Sequence, residues 1–180
     1  MARYAAFLRG INLGSRRRVA AAGLRAPFEE LGFREVATFR ASGNVIFEAD
    51  REPVAKLTGR IEAALEEALG FEVTTFLRTA AQVRAIAERR PFKRSLVDAS
   101  KGKLQVAILS RRPSARTREE VLAMSGDEDR LAFSDRELYW LPSGGTRDSA
   151  LDLKRVEGVL GQWTMRTKGM VEQIAANYFG

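Results

Sequence analysis

Within ten residues near its start the chain carries two glycines, an asparagine and four arginines: Arg9-Gly10-Ile11-Asn12-Leu13-Gly14-Ser15-Arg16-Arg17-Arg18. Glycine lets a loop turn several main-chain N–H groups toward one point, and guanidiniums add charge and paired donors. The chemistry this combination favours is anion binding, with the Asn12 amide as a further donor. No Gly-Lys-Ser/Thr follows, and the glycine spacing is not that of a dinucleotide loop, so the anion is not specified. The same residues also describe a plain turn: Gly10 and Gly14 supply torsions, Asn12 caps, and the arginines are solvated.

Two other groups carry usable polar chemistry. Ser42, Gly43 and Asn44 place a hydroxyl and an amide at a turn that a split β-α-β sheet brings near the first loop; alternatively they bond only their own backbone. Thr164, Arg166 and Lys168 form a second basic group near the end, either facing the same ligand or forming an N-cap and exposed helix start. Asp127-Glu128-Asp129 lacks the every-second-residue spacing of a calcium loop. Trp140 and Trp163 are read as core or edge residues rather than base-stacking platforms.

What is missing excludes more. The chain of 180 residues has no Cys and no His. Disulfides, thiolate nucleophiles, Cys-bound zinc and Ser-His-Asp or Cys-His catalysis within one chain are therefore excluded. Proton chemistry would fall to Asp, Glu, Lys, Arg, Tyr, Ser or Thr. The net charge is +7, and 24 of the 30 basic residues are Arg. Arginine suits phosphate partners, but these are spread along the chain rather than gathered in one run. No apolar run approaches ~20 residues, so no membrane span is expected. The opening Met1-Ala2-Arg3-Tyr4 lacks the apolar stretch of a signal peptide, which places the protein in the cytoplasm by default.

These side chains must be positioned by an α+β framework. Hydrophobic content of 45% beside 29% charged residues suits a folded chain. Residues 3–9 read as a strand. Leu24, Phe28 and Leu31 mark a helix face, with Pro27 predicting a kinked or split helix that ends at Gly32. Glu35 to Phe47 reads as a hairpin turning at Ser42-Gly43-Asn44. Val54, Leu57, Ile61, Leu65 and Ala68 form a helical stripe stopped by Gly70, and residues 71–77 read as a fourth strand. The order β-α-β-β-α-β is the split β-α-β, or ferredoxin-like, antiparallel arrangement, assigned to residues 1–78. A smaller α+β part is expected over residues 79–180. There Thr79 caps a helix, residues 95–103 form a polar loop, and 104–109 form a strand. Ser114 caps another helix, 131–141 make a hairpin, and helices cover 151–160 and 171–178. The order β-α-β-β-α recurs after residue 104, with no residue-level repeat evident.

The chain resembles a mainly bacterial family known as domain of unknown function 1697. Leu8-Arg9-Gly10-Ile11-Asn12-Leu13-Gly14 carries the resemblance, with Ser42-Gly43-Asn44-Val45-Ile46-Phe47 and Pro91-Phe92. The closing block Thr164-Met165-Arg166 to Val171 matches in part: Thr167 and Lys168 replace the family's Asn-Trp, Met170 replaces its Thr, and Gln173-Ile174 replace its Lys-Leu. The resemblance implies an α+β fold with a ferredoxin-like N-terminal part, and no activity.

The leading expectation is a binding protein for a phosphate-bearing ligand, a nucleotide or a nucleic acid, acting through the loop after the first strand. Its candidate residues are Arg9, Gly10, Asn12, Gly14, Arg16, Ser42, Asn44 and Arg166. No metal and no cofactor are indicated. The alternatives are an enzyme in which Arg stabilises developing negative charge, and a structural or self-assembling module.

Overall fold

The computed structural model describes residues 1–12, 15–147 and 149–180. It divides into two compact units: Met1–Arg84 with Ile174–Gly180, and Ala85–Gln173. Each is built on a four-stranded antiparallel sheet, so the chain is a mixed α+β protein.

The first unit runs β1 (Ala2–Leu8), α1 (Ala21–Glu30), β2 (Arg34–Thr38), β3 (Asn44–Ala49), α2 (Val54–Leu69), β4 (Thr75–Thr79), and its sheet order is β2-β3-β1-β4. Tyr4, Ala6 and Leu8 alternate along β1 and meet Val45 and Phe47 of β3, Leu24 and Phe28 of α1, and Leu57, Ile61 and Leu65 of α2. Strand period two and helix period near four converge on one core. α1 is not split. Pro27 sits inside it and is buried, and Leu31 N–H still donates to the Pro27 carbonyl at 3.2 Å. Within this helix the missing N–H forfeits one bond, and the buried ring adds apolar contact. Gly32, at φ +81°, follows the helix end. The hairpin turn carries its positive φ at Arg40 and Gly43, while Asn44 already belongs to β3. β4 starts later than the β-rich residues suggest, at Thr75, whose N–H donates to Glu62 Oε1 at 2.8 Å.

The next elements are α3 (Ala80–Glu88), α4 (Arg94–Ala99), β5 (Gln105–Leu109), α5 (Ala115–Leu122), β6 (Asp129–Ser134), β7 (Glu137–Pro142), α6 (Leu153–Leu160), β8 (Trp163–Thr167) and α7 (Lys168–Tyr178); the unit division falls inside α3 and again inside α7. The second sheet has the order β6-β7-β5-β8. Its core joins Ala107, Leu109, Leu138, Trp140 and Trp163 to Val121 of α5 and to Val156 and Leu160 of α6. Trp140 Nε1–H donates to the buried Asp129 carboxylate at 2.8 Å, so Asp129 opens a strand rather than lying in a loop.

Two elements differ in kind from the sequence expectation. The polar stretch after Pro91 contains the helix α4, held by an Arg94–Asp98 ion pair one turn apart. It buries none of its residues, so no apolar period announces it. Residues 163–167 form β8, the outer strand paired along its length to β5. Thr164 and Arg166 are therefore strand residues, not a helix start. The helix cap is Thr167, whose Oγ1 accepts the Met170 N–H at 3.2 Å.

β8 also exposes a residue-level repeat. Leu77-Arg78-Thr79, with Val83 four and Ile86 seven residues after the threonine, match Met165-Arg166-Thr167, Val171 and Ile174. Arg78 pairs with Ala5 of β1, and Arg166 pairs with Val106 of β5. Each arginine is buried and donates from Nη1 to the carbonyl of the residue before it, at 2.9 and 2.8 Å. Each threonine that follows caps a helix, Thr79 taking the Gln82 N–H at 3.3 Å.

Candidate anion site

The structure brings part of the sequence-predicted site together. Asn12 lies at the end of the first unit's sheet at φ +55°. Its Nδ2 donates to the Ala41 carbonyl at 2.6 Å, its Oδ1 accepts the Val19 N–H at 2.7 Å, and its own N–H donates to the Arg17 carbonyl at 3.0 Å. Leu8 N–H donates to the Gly43 carbonyl at 2.8 Å, and Arg9 N–H to the Thr74 carbonyl at 2.9 Å. Asn44 is buried, with Nδ2 donating to the Phe39 carbonyl at 2.9 Å and to Ser42 Oγ at 3.0 Å. A side chain at Gly43 would press on Leu8 Cβ at 3.1 Å, from a backbone at φ +74°. The Asn12 amide and the Leu8 N–H thus tie the end of β1 and its loop to the β2–β3 turn, which Asn44 and Ser42 brace from within.

These donors are directed into the chain rather than toward a shared external point. Arg16, Arg17 and Arg18 are exposed, and the Arg17 guanidinium lies over the Phe71 ring at 4.8 Å. Gly10 has φ +79°, Arg9 is half-buried with partners of its own, and Gly14 lies outside the described residues. Replacing Asn12 by alanine is expected to cost about 1–3 kcal/mol, because the Val19 N–H and the Ala41 carbonyl lose their partner. Urea unfolding measures it, and a loss below a few tenths would show that the loop is held by other means.

Arg166 belongs to the other unit. It is buried, Nη1 donates to Thr164 Oγ1 at 2.8 Å, and burial pulls its pKa down to about 10. It remains charged at neutral pH, but as a strand residue anchored locally.

The second unit holds a group of cations that sequence reasoning did not assemble. Pro91 follows the end of α3, and the chain turns through Phe92 into α4. This segment, Leu104 ahead of β5, and the first residues of α7 line a cavity of about 390 Å³. Arg89, Arg90 and Arg94 stand around it, and Lys168 and Glu172 line it from α7. Lys168 N–H donates to the Leu104 carbonyl at 2.8 Å, fixing where α7 begins. The Lys168 side chain is 4% exposed. Its Nζ donates to the Ala87 carbonyl at 2.8 Å and to Glu172 Oε1 at 2.7 Å. Ala87 lies in the last turn of α3, where carbonyls lack helical partners and carry partial negative charge. Arg90 Nη1 donates to the same carbonyl at 2.8 Å and lies 3.7 Å from Glu172 Oε1. Burial pushes the Lys168 amine below the ordinary lysine value; the hydrogen bond and charge of Glu172 oppose this, and Arg90 adds to it.

Four cations and one carboxylate border this cavity, with Pro91, Phe92, Val97 and Leu104 as its apolar wall. Its volume lies in the range of small-ligand sites. Two other concavities are more acidic: about 190 Å³ beside Asp127, Glu128 and Arg130, and about 410 Å³ beside Glu120, Asp152 and Arg155. Among the described residues no three potential metal-ligating His, Cys, Asp or Glu side chains gather, and no helix is long and apolar enough to cross a membrane.

Two antiparallel sheets with flanking helices and a basic cavity define a two-unit α+β protein. The chain belongs to the family described as "Protein of unknown function (DUF1697)", whose family model matches residues 1–139. The match ends before β8 and α7. Conserved bacterial protein SP0830 from Streptococcus pneumoniae has a similar solved structure, with a TM-score of 0.77 at 20% identity, covering 98% of this chain and 97% of that one. That likeness concerns the fold. No curated protein matches the chain.

Proposed function

We propose that the chain binds a small organic anion, carboxylate- or phosphate-bearing, in the cavity bordered by Arg89, Arg90, Arg94 and Lys168. The observation that carries this reading is the buried Lys168 amine beside three guanidiniums and an apolar wall. Arginine supplies paired donors to a carboxylate or phosphate. The apolar residues favour a ligand with a hydrocarbon portion over a bare ion. A nucleotide satisfies the same chemistry through its phosphate.

We also read each unit as a split β-α-β, ferredoxin-like sheet. The repeated order β-α-β-β-α-β and the matching strand orders support it. That topology carries no activity by itself.

Calorimetric titration with 4-methylpentanoate and with inorganic phosphate tests the binding reading. The carboxylate is expected to bind more tightly than phosphate. Arg89→Ala combined with Arg94→Ala should weaken it at least tenfold, about 1.4 kcal/mol. Arg16→Ala combined with Arg18→Ala should leave it within twofold. If the loop variants abolish binding and the cavity variants do not, the site belongs at the loop after β1.

A further inference from the structure

We infer that Lys168 captures a carbonyl-bearing organic anion of the 2-oxo acid class as an imine in the basic cavity of the second unit. This deepens the anion-binding reading and rests on it. The ammonium of Lys168 donates to two acceptors, the Ala87 carbonyl at 2.8 Å and Glu172 Oε1 at 2.7 Å. A neutral amine keeps two hydrogens, enough for the same two acceptors, and gains a lone pair. The side chain borders the cavity together with Arg89, Arg90 and Arg94, which suit the ligand's carboxylate. Phe92, Val97 and Leu104 suit its hydrocarbon end.

Burial favours the neutral amine, as does the charge of Arg90, while Glu172 opposes them. The other five lysines, Lys56, Lys93, Lys101, Lys103 and Lys154, are exposed.

The step needs only water and protons. Lys168 gives one ammonium proton to Glu172. Its nitrogen adds to the carbonyl carbon, forming C–N, while the C=O π pair moves to oxygen, which takes the proton from Glu172. The nitrogen of this carbinolamine then passes a second proton to Glu172. The hydroxyl leaves with that proton as water, and the nitrogen pair closes C=N. The result is a protonated imine, with Glu172 returned to its carboxylate and one water released. Glu172 sits within hydrogen-bond reach of the nitrogen for both transfers.

The test incubates the wild-type chain at pH 7 with 4-methyl-2-oxopentanoate and sodium cyanoborohydride, which reduces an imine to a stable secondary amine. Peptide mapping by mass spectrometry then locates the adduct. Modification of Lys168 at least tenfold above each exposed lysine, suppressed by excess 4-methylpentanoate, is the expected result. Glu172→Gln should slow labelling at least tenfold while 4-methylpentanoate still binds. Lys168→Arg should bind the carboxylate and form no adduct. A purely structural ion pair would label no faster at Lys168 than at Lys56, and that outcome overturns the proposal even if 4-methylpentanoate binds. If 4-methylpentanoate does not bind at all, the anion-binding reading falls as well.

Discussion

Replacing Phe47 by alanine is expected to destabilise the first unit by about 3–5 kcal/mol. Phe47 is fully buried in β3, opposite Tyr4 of β1. Its ring centroid lies 4.8 Å from that of Phe33, 5.2 Å from Phe28 and 5.5 Å from Tyr4. One side chain therefore joins the central strands to α1 and to Phe33, the residue just ahead of β2. Truncation forfeits the transfer free energy of the ring, leaves a cavity that three aromatic neighbours cannot fill without changing rotamer, and breaks the stacked pairs. Urea unfolding followed by tyrosine and tryptophan fluorescence measures the change. Trp140 and Trp163 report only the second unit, so separate transitions would show that the two units unfold independently. A cost below about 1 kcal/mol would contradict the core described for the first unit.

Substituting Gly102 by valine is expected to cost about 2–4 kcal/mol and to weaken anion binding as well. A Cβ at this position would overlap the Gly144 carbonyl oxygen and come within 2.6 Å of Pro142 Cγ. Pro142 is held, because it ends β7 and its carbonyl accepts from Ser100 Oγ. Gly102 N–H in turn donates to that Ser100 hydroxyl at 3.1 Å. The loop between α4 and β5 is thus seated on the end of β7 only because position 102 has no side chain. α4 and Leu104 flank this loop and border the basic cavity, so lifting it displaces two of the cavity's walls. Thermal denaturation and a 4-methylpentanoate titration on the same variant read both effects. Gly32→Ala is the contrasting case: nothing lies near its Cβ, so it should lose only what its φ of +81° demands, about 1 kcal/mol.

Local pattern was legible where burial is periodic. Leu57, Ile61 and Leu65 announced α2, and the left-handed Gly70 ended it as its type required. The apolar residues of β1 and β5 announced central strands. Ser114 was read as a cap and takes the Thr117 N–H at 3.2 Å. α4 gave no signal because it buries nothing. β8 was illegible because two of its five residues are threonine and one is arginine, which reads as polar and helix-starting until β5 supplies its hydrogen bonds. The repeat around Arg78 and Arg166 was present in the letters, but only the paired strand and cap geometry shows that the two segments do the same work.

The candidate site divided in the same way. Asn12, Ser42 and Asn44 could be singled out by residue type, since amides and hydroxyls at a glycine turn seek partners. Which partners they take depends on distance in space. Asn12 reaches Ala41, 29 residues away, and the loop closes on its own turn. Lys168 could be grouped by type with Thr164 and Arg166, but nothing along the chain places it beside Arg89, Arg90 and Arg94.

By itself the amino-acid order determined the longer helix faces, the central strands, the caps at Thr79, Ser114 and Gly70 and the exclusion of thiol and imidazole chemistry, because each follows from neighbours within a turn or a strand. Only the tertiary structure decided that Arg166 and Lys168 are buried, that β8 exists, and that a basic cavity forms beside α3 and α7. The reason is separation along the chain. The Ala87 carbonyl that holds the Lys168 ammonium is 81 residues away, and no local pattern encodes a contact that appears only when two sequence-distant helices pack.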